Sequence, residues 1–290
     1  MASGCSNGLD VGFVSLGYAK VAALGVVQGV TELLPISSTA HMRIVPALFG
    51  WPDPGSAFSA AMQLAALAAV VSYFWRDVRQ LIVGSLSAVG RRDFGDKDFK
   101  FAVAIVLATI PIGILGLTLA PLLNTCNSPL RSLTVIGWAS IGMAVLLAFA
   151  EVIAKHRRKV DDATLWDAAV VGLAQAGALI PGVSRSGSSL TAALFLGFTR
   201  EEAARYSFLL GLPAITLAGL KELWELRHAA LGVDGWSVLC FGLLVASISA
   251  FAAIWGLMRI MERFSAWPFV IYRAAMGAFL ITAVSLGLLA

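Results

Sequence analysis

Glu32 follows Gln28 by four residues inside a stretch otherwise made of apolar and small side chains. On a helix the two share a face. A carboxylate in such surroundings is costly and needs a cation, a metal or a proton. Pro35 comes next, then three hydroxyls at Ser37, Ser38 and Thr39, then His41 and Arg43. A serine becomes a nucleophile when a base stands beside it, and histidine is the commonest base. Ser38 and His41, three apart, can face one cavity if helix resumes at the serines. The structural alternatives are hydroxyls that cap that helix and a Glu32 that pairs with an arginine across the bundle.

A second cluster runs Pro181-Gly182-Val183-Ser184-Arg185-Ser186-Gly187-Ser188-Ser189. Glycines permit a tight turn, and arginine offers a donor fork suited to phosphate. The start of a following helix adds free N–H groups and a favourable dipole. The turn reads as an anion cradle in which Ser184, Ser186 and Ser189 can contribute hydroxyls. An Arg185–Glu32 pair holding two turns together is the competing reading, and both roles can coexist. One phosphate binder, one carboxylate, one histidine and several hydroxyls in a dry site suit phosphoryl transfer or hydrolysis on an anionic lipid. A transporter or lipid-phosphate flippase would use the same central anion site. A single intramembrane carboxylate argues against an all-protein metal cage, so a divalent ion would be held largely through substrate phosphates and water.

These residues need a scaffold in lipid. Of 290 residues, 59% are hydrophobic and 13% charged, and the mean hydropathy is +0.85. Soluble domains carry about 25% charged residues, so an ordinary globule is excluded, as is a disordered chain. Six apolar blocks are long enough to cross a bilayer: 56–75, 101–123, 129–154, 200–220, 236–258 and 267–290. Two others, 14–47 and 165–198, are interrupted by the two polar clusters. Proline stops a helix, and irregular backbone at membrane depth is tolerated only inside protein or beside a wet cavity. Each interrupted block therefore predicts a re-entrant helical hairpin, with a single kinked span as the alternative. Gly172, Gly177 and many alanines would allow close helix packing there.

The expected fold is an all-α polytopic membrane protein, one integral domain of six transmembrane helices and two re-entrant hairpins in an inverted-topology repeat. The first repeat covers 11–154 and the second 165–290, each a hairpin plus three spans. Gln28 precedes Ser37 by nine residues, and Gln175 precedes Ser184 by nine. Three spans per half invert the second half, so the hairpin tips meet mid-membrane. Fourteen of the 21 Lys and Arg residues then face one side, against five on the other: Lys20, Arg131, Lys221, Arg227 and Arg273. That asymmetry makes the first side cytoplasmic and both termini external. The net charge of +4 belongs to these loops, so no nucleic-acid partner is expected. Cys5, Cys126 and Cys240 suggest neither a disulfide framework nor a metal cluster. Residues 1–10 lack Lys and Arg, so neither a cleaved signal peptide nor lipidation at Cys5 is expected.

The segment Gln28-Gly29-Val30-Thr31-Glu32-Leu33-Leu34-Pro35-Ile36-Ser37-Ser38-Thr39-Ala40-His41, with Pro181-Gly182-Val183-Ser184-Arg185-Ser186-Gly187, resembles the bacterial undecaprenyl-diphosphatase family, also called bacitracin-resistance proteins. The similarity extends over nearly the whole chain. It implies a multi-pass inner-membrane phosphatase whose site opens toward the periplasm. Such an enzyme converts undecaprenyl diphosphate to undecaprenyl phosphate for cell-wall synthesis. By motif position it implies catalytic Glu32, Ser38, His41 and Arg185, the last binding the diphosphate. Gln28, Ser37, Thr39, Ser184, Ser186 and Ser189 stand around them as candidate substrate-binding groups. Mg²⁺ or Ca²⁺ would be bound mainly through the diphosphate, with Glu32 as the one protein ligand or as the orienter of His41. Gln28 stands where many relatives carry Glu, which weakens a two-carboxylate metal mechanism. Two routes stay open: attack by Ser38 with His41 assisting, or a water activated by His41. Beyond membrane lipids, the other partner considered is a second copy in a homodimer.

Overall fold

The computed structural model describes residues 5–6, 9–10, 12–123, 129–228 and 231–289; Cys126 lies outside them. Apart from a two-rung ladder between Cys5–Ser6 and Leu9–Asp10, its regular structure is helical. The first half contains α1 (Gly17–Leu33), α2 (Ser38–Phe49), α3 (Ser56–Ala61), α4 (Gln63–Tyr73), α5 (Trp75–Arg91), α6 (Lys97–Leu123) and α7 (Leu133–Ile153). The second contains α8 (Leu165–Ala176), α9 (Arg185–Phe195), α10 (Arg200–Leu226), α11 (Gly232–Arg263) and α12 (Trp267–Ser285).

Side-chain caps mark where these helices begin. Ser132 accepts from Val135 N at 3.3 Å, Thr199 from Glu202 N at 3.3 Å, and Thr164 forms a reciprocal capping box with Asp167. The interior is small and the exterior greasy. Leu117, Val152, Leu173 and Ile248 are exposed, whereas Gln28, Glu32, His41, Gln175 and Arg273 are buried. That inversion places the chain in lipid as a multi-pass membrane protein.

Among the described residues six helices are long and apolar enough to cross a membrane, and five of them coincide with blocks read from the sequence. Gly12–Leu33, the first arm of the interrupted block, qualifies at 22 residues. The expected 56–75 span is instead α3 and α4, and the chain bends by 82° into α5. Hydropathy averaged over a window cannot see such a bend. α5 itself is a helix where the charges suggested a loop. Arg76, Arg79 and Arg91 share it with exposed Ile82, Val83, Leu86 and Val89, the pattern of a helix lying in a membrane interface.

Both interrupted blocks do break at their polar clusters. α1 ends at Leu33, Leu34 is extended, and α2 starts at Ser38. α8 runs into a short 3-10 turn, Ile180 is extended, and α9 starts at Arg185. α1 packs beside α2, and α8 beside α9. Ser37 and Ser184, the residues just before α2 and α9, both have φ of 72°. That region is strained for a side chain with a Cβ.

Glycines set the helix contacts that carry these breaks. A Cβ on Gly29 would overlap Ser249 Oγ and the Ala246 carbonyl, so α1 lies backbone to backbone on α11. Gly172 meets Ala108 of α6 in the same way, as expected. Gly177 does not: it ends α8, and its nearest side-chain neighbour, Val183, is 3.9 Å from a Cβ built there. On the side carrying most of the basic residues, Arg158 donates to both Asp167 oxygens at 2.8 and 2.6 Å, which holds its guanidinium more firmly protonated than usual. Arg200 pairs with Glu151 at 2.5 Å, and Arg205 with Asp77.

Close α1–α11 packing is tested by Gly29→Val, which should lower stability by about 1–3 kcal/mol. Gly142→Val, at a position with open space around it, should be neutral. Thermal unfolding in detergent measures both, and equal melting temperatures would refute the contact.

Candidate active site

The two helix breaks meet. Arg185 Nη2, at the start of α9, donates to Glu32 Oε1 at 2.8 Å, and its Nη1 donates to the Gly211 carbonyl of α10 at 2.9 Å. The Glu32 side chain is 4% exposed and that of Arg185 14%. On the other carboxylate oxygen, Oε2, Gln28 Nε2 donates at 3.0 Å and Ser38 Oγ at 2.5 Å. The i,i+4 face of α1 thus aims Gln28 and Glu32 at the first residue of α2.

Ser38 and His41 turn to different partners. His41 Nδ1 lies 2.7 Å from the Ser37 carbonyl, and Nε2 2.6 Å from Tyr272 Oη, with the two rings stacked. The reason is local. A histidine four residues into a new helix folds back on the carbonyl just before it, while Ser38 looks across the break to α1. Ser38 therefore has a carboxylate, not an imidazole, as its partner.

The remaining hydroxyls divide. Ser186 Oγ donates to the Glu32 carbonyl at 3.2 Å and the Leu34 carbonyl at 3.0 Å, which satisfies the open end of α1. Ser184 Oγ caps α9 by accepting from Gly187 N at 3.1 Å, and contacts Ser186 Oγ at 3.2 Å. Ser37 and Thr39 share a 3.1 Å contact; Ser37 is buried and Thr39 exposed. Ser189 is wholly buried, with no partner for its hydroxyl among the described residues. Arg43 lies off the site, paired with Asp53.

Arg273 is the residue that sequence reasoning misplaced. The charge count puts it on the external side, yet it is 1% exposed on α12. Nη1 donates to the Pro35 carbonyl at 2.9 Å, and Nη2 to the carbonyls of Gly182 and Val183 at 2.6 and 3.1 Å. One guanidinium thus clamps both turns. An arginine inside the 267–290 apolar run was the available signal, under the same rule that singled out Glu32. Tyr272 and Gly211 were also missed. Neither carries a mark in the sequence, because their roles come from partners far along the chain.

The donor set does not suit a resident divalent ion. Both Glu32 oxygens already accept hydrogen bonds, one of them from a guanidinium. Among the described residues no three His, Cys, Asp or Glu side chains converge.

A profile of the bacitracin resistance protein BacA matches residues 21–279. The chain belongs to that family. Undecaprenyl-diphosphatase 2 of Mesorhizobium japonicum is 71% identical over 91% of this chain and 100% of its own length. The undecaprenyl-diphosphatase of Synechococcus elongatus is 49% identical over 92% of this chain and 93% of its own. That of Trichormus variabilis is 44% identical over 99% and 90%. In this BacA-family chain the two polar motifs form one buried network, and Arg273 is what holds their backbones together.

Arg273→Gln would leave buried carbonyls in both turns without their charged donor. A loss on the order of 3 kcal/mol is expected. Arg273→Lys should restore only part of it, since a point charge cannot span the carbonyls that the fork reaches. Melting temperatures of the two variants in detergent measure this, and a wild-type value for Arg273→Gln would remove the clamp.

Proposed function

We propose that the protein hydrolyses undecaprenyl diphosphate to undecaprenyl phosphate and inorganic phosphate. The observation that carries this is the chain Ser38–Glu32–Arg185: a hydroxyl donating to a carboxylate that is itself paired with a phosphate-binding guanidinium. The names of the three relatives point the same way. Arg185 pairs with the single carboxylate Glu32, while Arg273 is bound to backbone carbonyls of both turns, so the two turns hold more positive than negative charge, which favours an anionic ligand.

On this reading the terminal phosphoryl group takes Arg185 from Glu32. Glu32, relieved of its counterion, accepts the Ser38 proton as Oγ bonds to the terminal phosphorus. The bond between that phosphorus and the bridging oxygen breaks, and undecaprenyl phosphate leaves. Water then attacks the phosphoserine phosphorus, the Ser38 Oγ–P bond breaks, Glu32 returns its proton to Oγ, and the proton lost by water leaves on the released inorganic phosphate. N–H groups at the start of α2 and α9, with Thr39 and Ser37, would support the developing charge. His41, held between the Ser37 carbonyl and half-exposed Tyr272, would fix the turn that presents Ser38. The alternative in which His41 activates water is less favoured, because both imidazole nitrogens are engaged away from Ser38. Mg²⁺ or Ca²⁺ enters only as a counterion carried by the diphosphate, since among the described residues no further His, Cys, Asp or Glu side chains converge with Glu32 to form a metal site.

We place this activity in the bacterial inner membrane, with the site opening to the periplasm and the arginine-rich side in the cytoplasm. Removing buried Arg273 from the external set leaves four basic residues there against fourteen, which sharpens that orientation. Matched positive-φ serines nine residues after Gln28 and Gln175 support two inverted repeats with re-entrant hairpins. Recycling the lipid carrier would serve cell-wall synthesis and oppose bacitracin. The transporter reading is left without an observation in its favour.

Purified protein should release phosphate from undecaprenyl diphosphate in detergent, where net transport has no meaning. Ser38→Ala should lower kcat on the order of 10³-fold or more, and His41→Gln roughly 10–100-fold. Near-normal turnover by Ser38→Ala would end the serine route.

A further inference from the structure

Gln175 sits in the last turn of α8, fully buried, and neither its Oε1 nor its Nε2 has a partner among the described residues. Its counterpart in the first half, Gln28, spends its amide on Glu32. A buried amide with both ends unpaired is a liability that folded proteins avoid. It is kept where the group has work in another state.

Its surroundings say which work. A Cβ built on Gly211 would lie 2.6 Å from Arg185 Nη1 and 3.8 Å from Gln175 Oε1. The guanidinium and the amide therefore border the same missing side chain without bonding each other. Pro213 lies two residues further along α10 and removes one donor from that stretch of the helix. The Gly211 carbonyl holds Arg185 Nη1 on this side, while Nη2 points to Glu32.

We propose that Gln175 is a positioning residue for Arg185, accepting the guanidinium through Oε1 once a diphosphate has drawn it from Glu32. Nε2, on the same amide, is then directed to donate to a phosphoryl oxygen. Arg185 moves between two partners: the carboxylate in the resting site and the amide plus phosphate in the loaded one. This inference rests on the phosphatase reading, and it adds the residue that makes the loaded position of Arg185 a stable one.

The test uses the full-length protein in detergent, with phosphate release from undecaprenyl diphosphate and thermal unfolding measured in parallel. Gln175→Leu keeps the bulk and removes the unpaired amide. Its melting temperature should equal or exceed that of wild type, while KM rises tenfold or more and kcat changes less. Gln175→Glu supplies a second carboxylate to Arg185, so it should also be stable and turn over poorly. Activity of Gln175→Leu within twofold of wild type overturns the proposal. So does a joint loss of activity and melting temperature in both variants, which is the signature of a packing role. If wild type itself releases no phosphate, the phosphatase reading fails instead. The inference is then decided by inorganic diphosphate as probe: it should raise the melting temperature of wild type more than that of Gln175→Leu, and equal shifts overturn it.

Discussion

An ion pair between residues 153 positions apart, Arg185 and Glu32, is the constraint that the rest of the molecule serves. Neither charge can be left alone in a bilayer interior without a penalty of several kcal/mol. Each is bearable only where the other is present. α1 must therefore stop just past Glu32, and α9 must begin at Arg185. Both breaks must also lie at one depth. The close approach of α1 to α11 and of α8 to α6 fixes where those ends fall.

Breaking two helices inside lipid creates a second problem, because the exposed carbonyls at each break have no water to turn to. The protein answers it from within. Ser186, on the second break, takes two carbonyls of the first, and Arg273 takes carbonyls from both. Each turn is thus completed by groups outside itself. The strained backbone at Ser37 and Ser184, worth about 1–3 kcal/mol apiece, is held by the same network. In return α2 and α9 start facing the ion pair, with Ser38 against the carboxylate.

Much of this could be read from residue order. Pro35 and the serine run after it, Gln28 and Glu32 four apart, and Arg185 between two serines are local signals, and each lies where its spacing implied. The proximity of Arg185 to Glu32 followed from matching two similar segments. What failed depended on direction or on distant partners. Spacing put Ser38 near His41 but could not show that the imidazole turns to Ser37 and Tyr272. Arg273 was one more positive charge in a tally until α12 proved to carry it into the core. The 82° bend before α5 was hidden because it falls at the end of the apolar block, where the charges of α5 suggest a loop, although α5 is amphipathic once seen as a helix.

A resting site closed on its own ion pair also bears on what can leave it. On the phosphatase reading, a ligand opens the site only by offering Arg185 more negative charge than Glu32 does. A diphosphate carries enough to compete, and its two phosphoryl groups can engage donors from both turns. The lipid monophosphate left after cleavage carries less charge and reaches fewer donors, so Glu32 regains the guanidinium. The same pairing that makes the empty site tolerable in lipid would therefore help expel the product, and the lipid tail, which never needs to leave the bilayer, would carry it away.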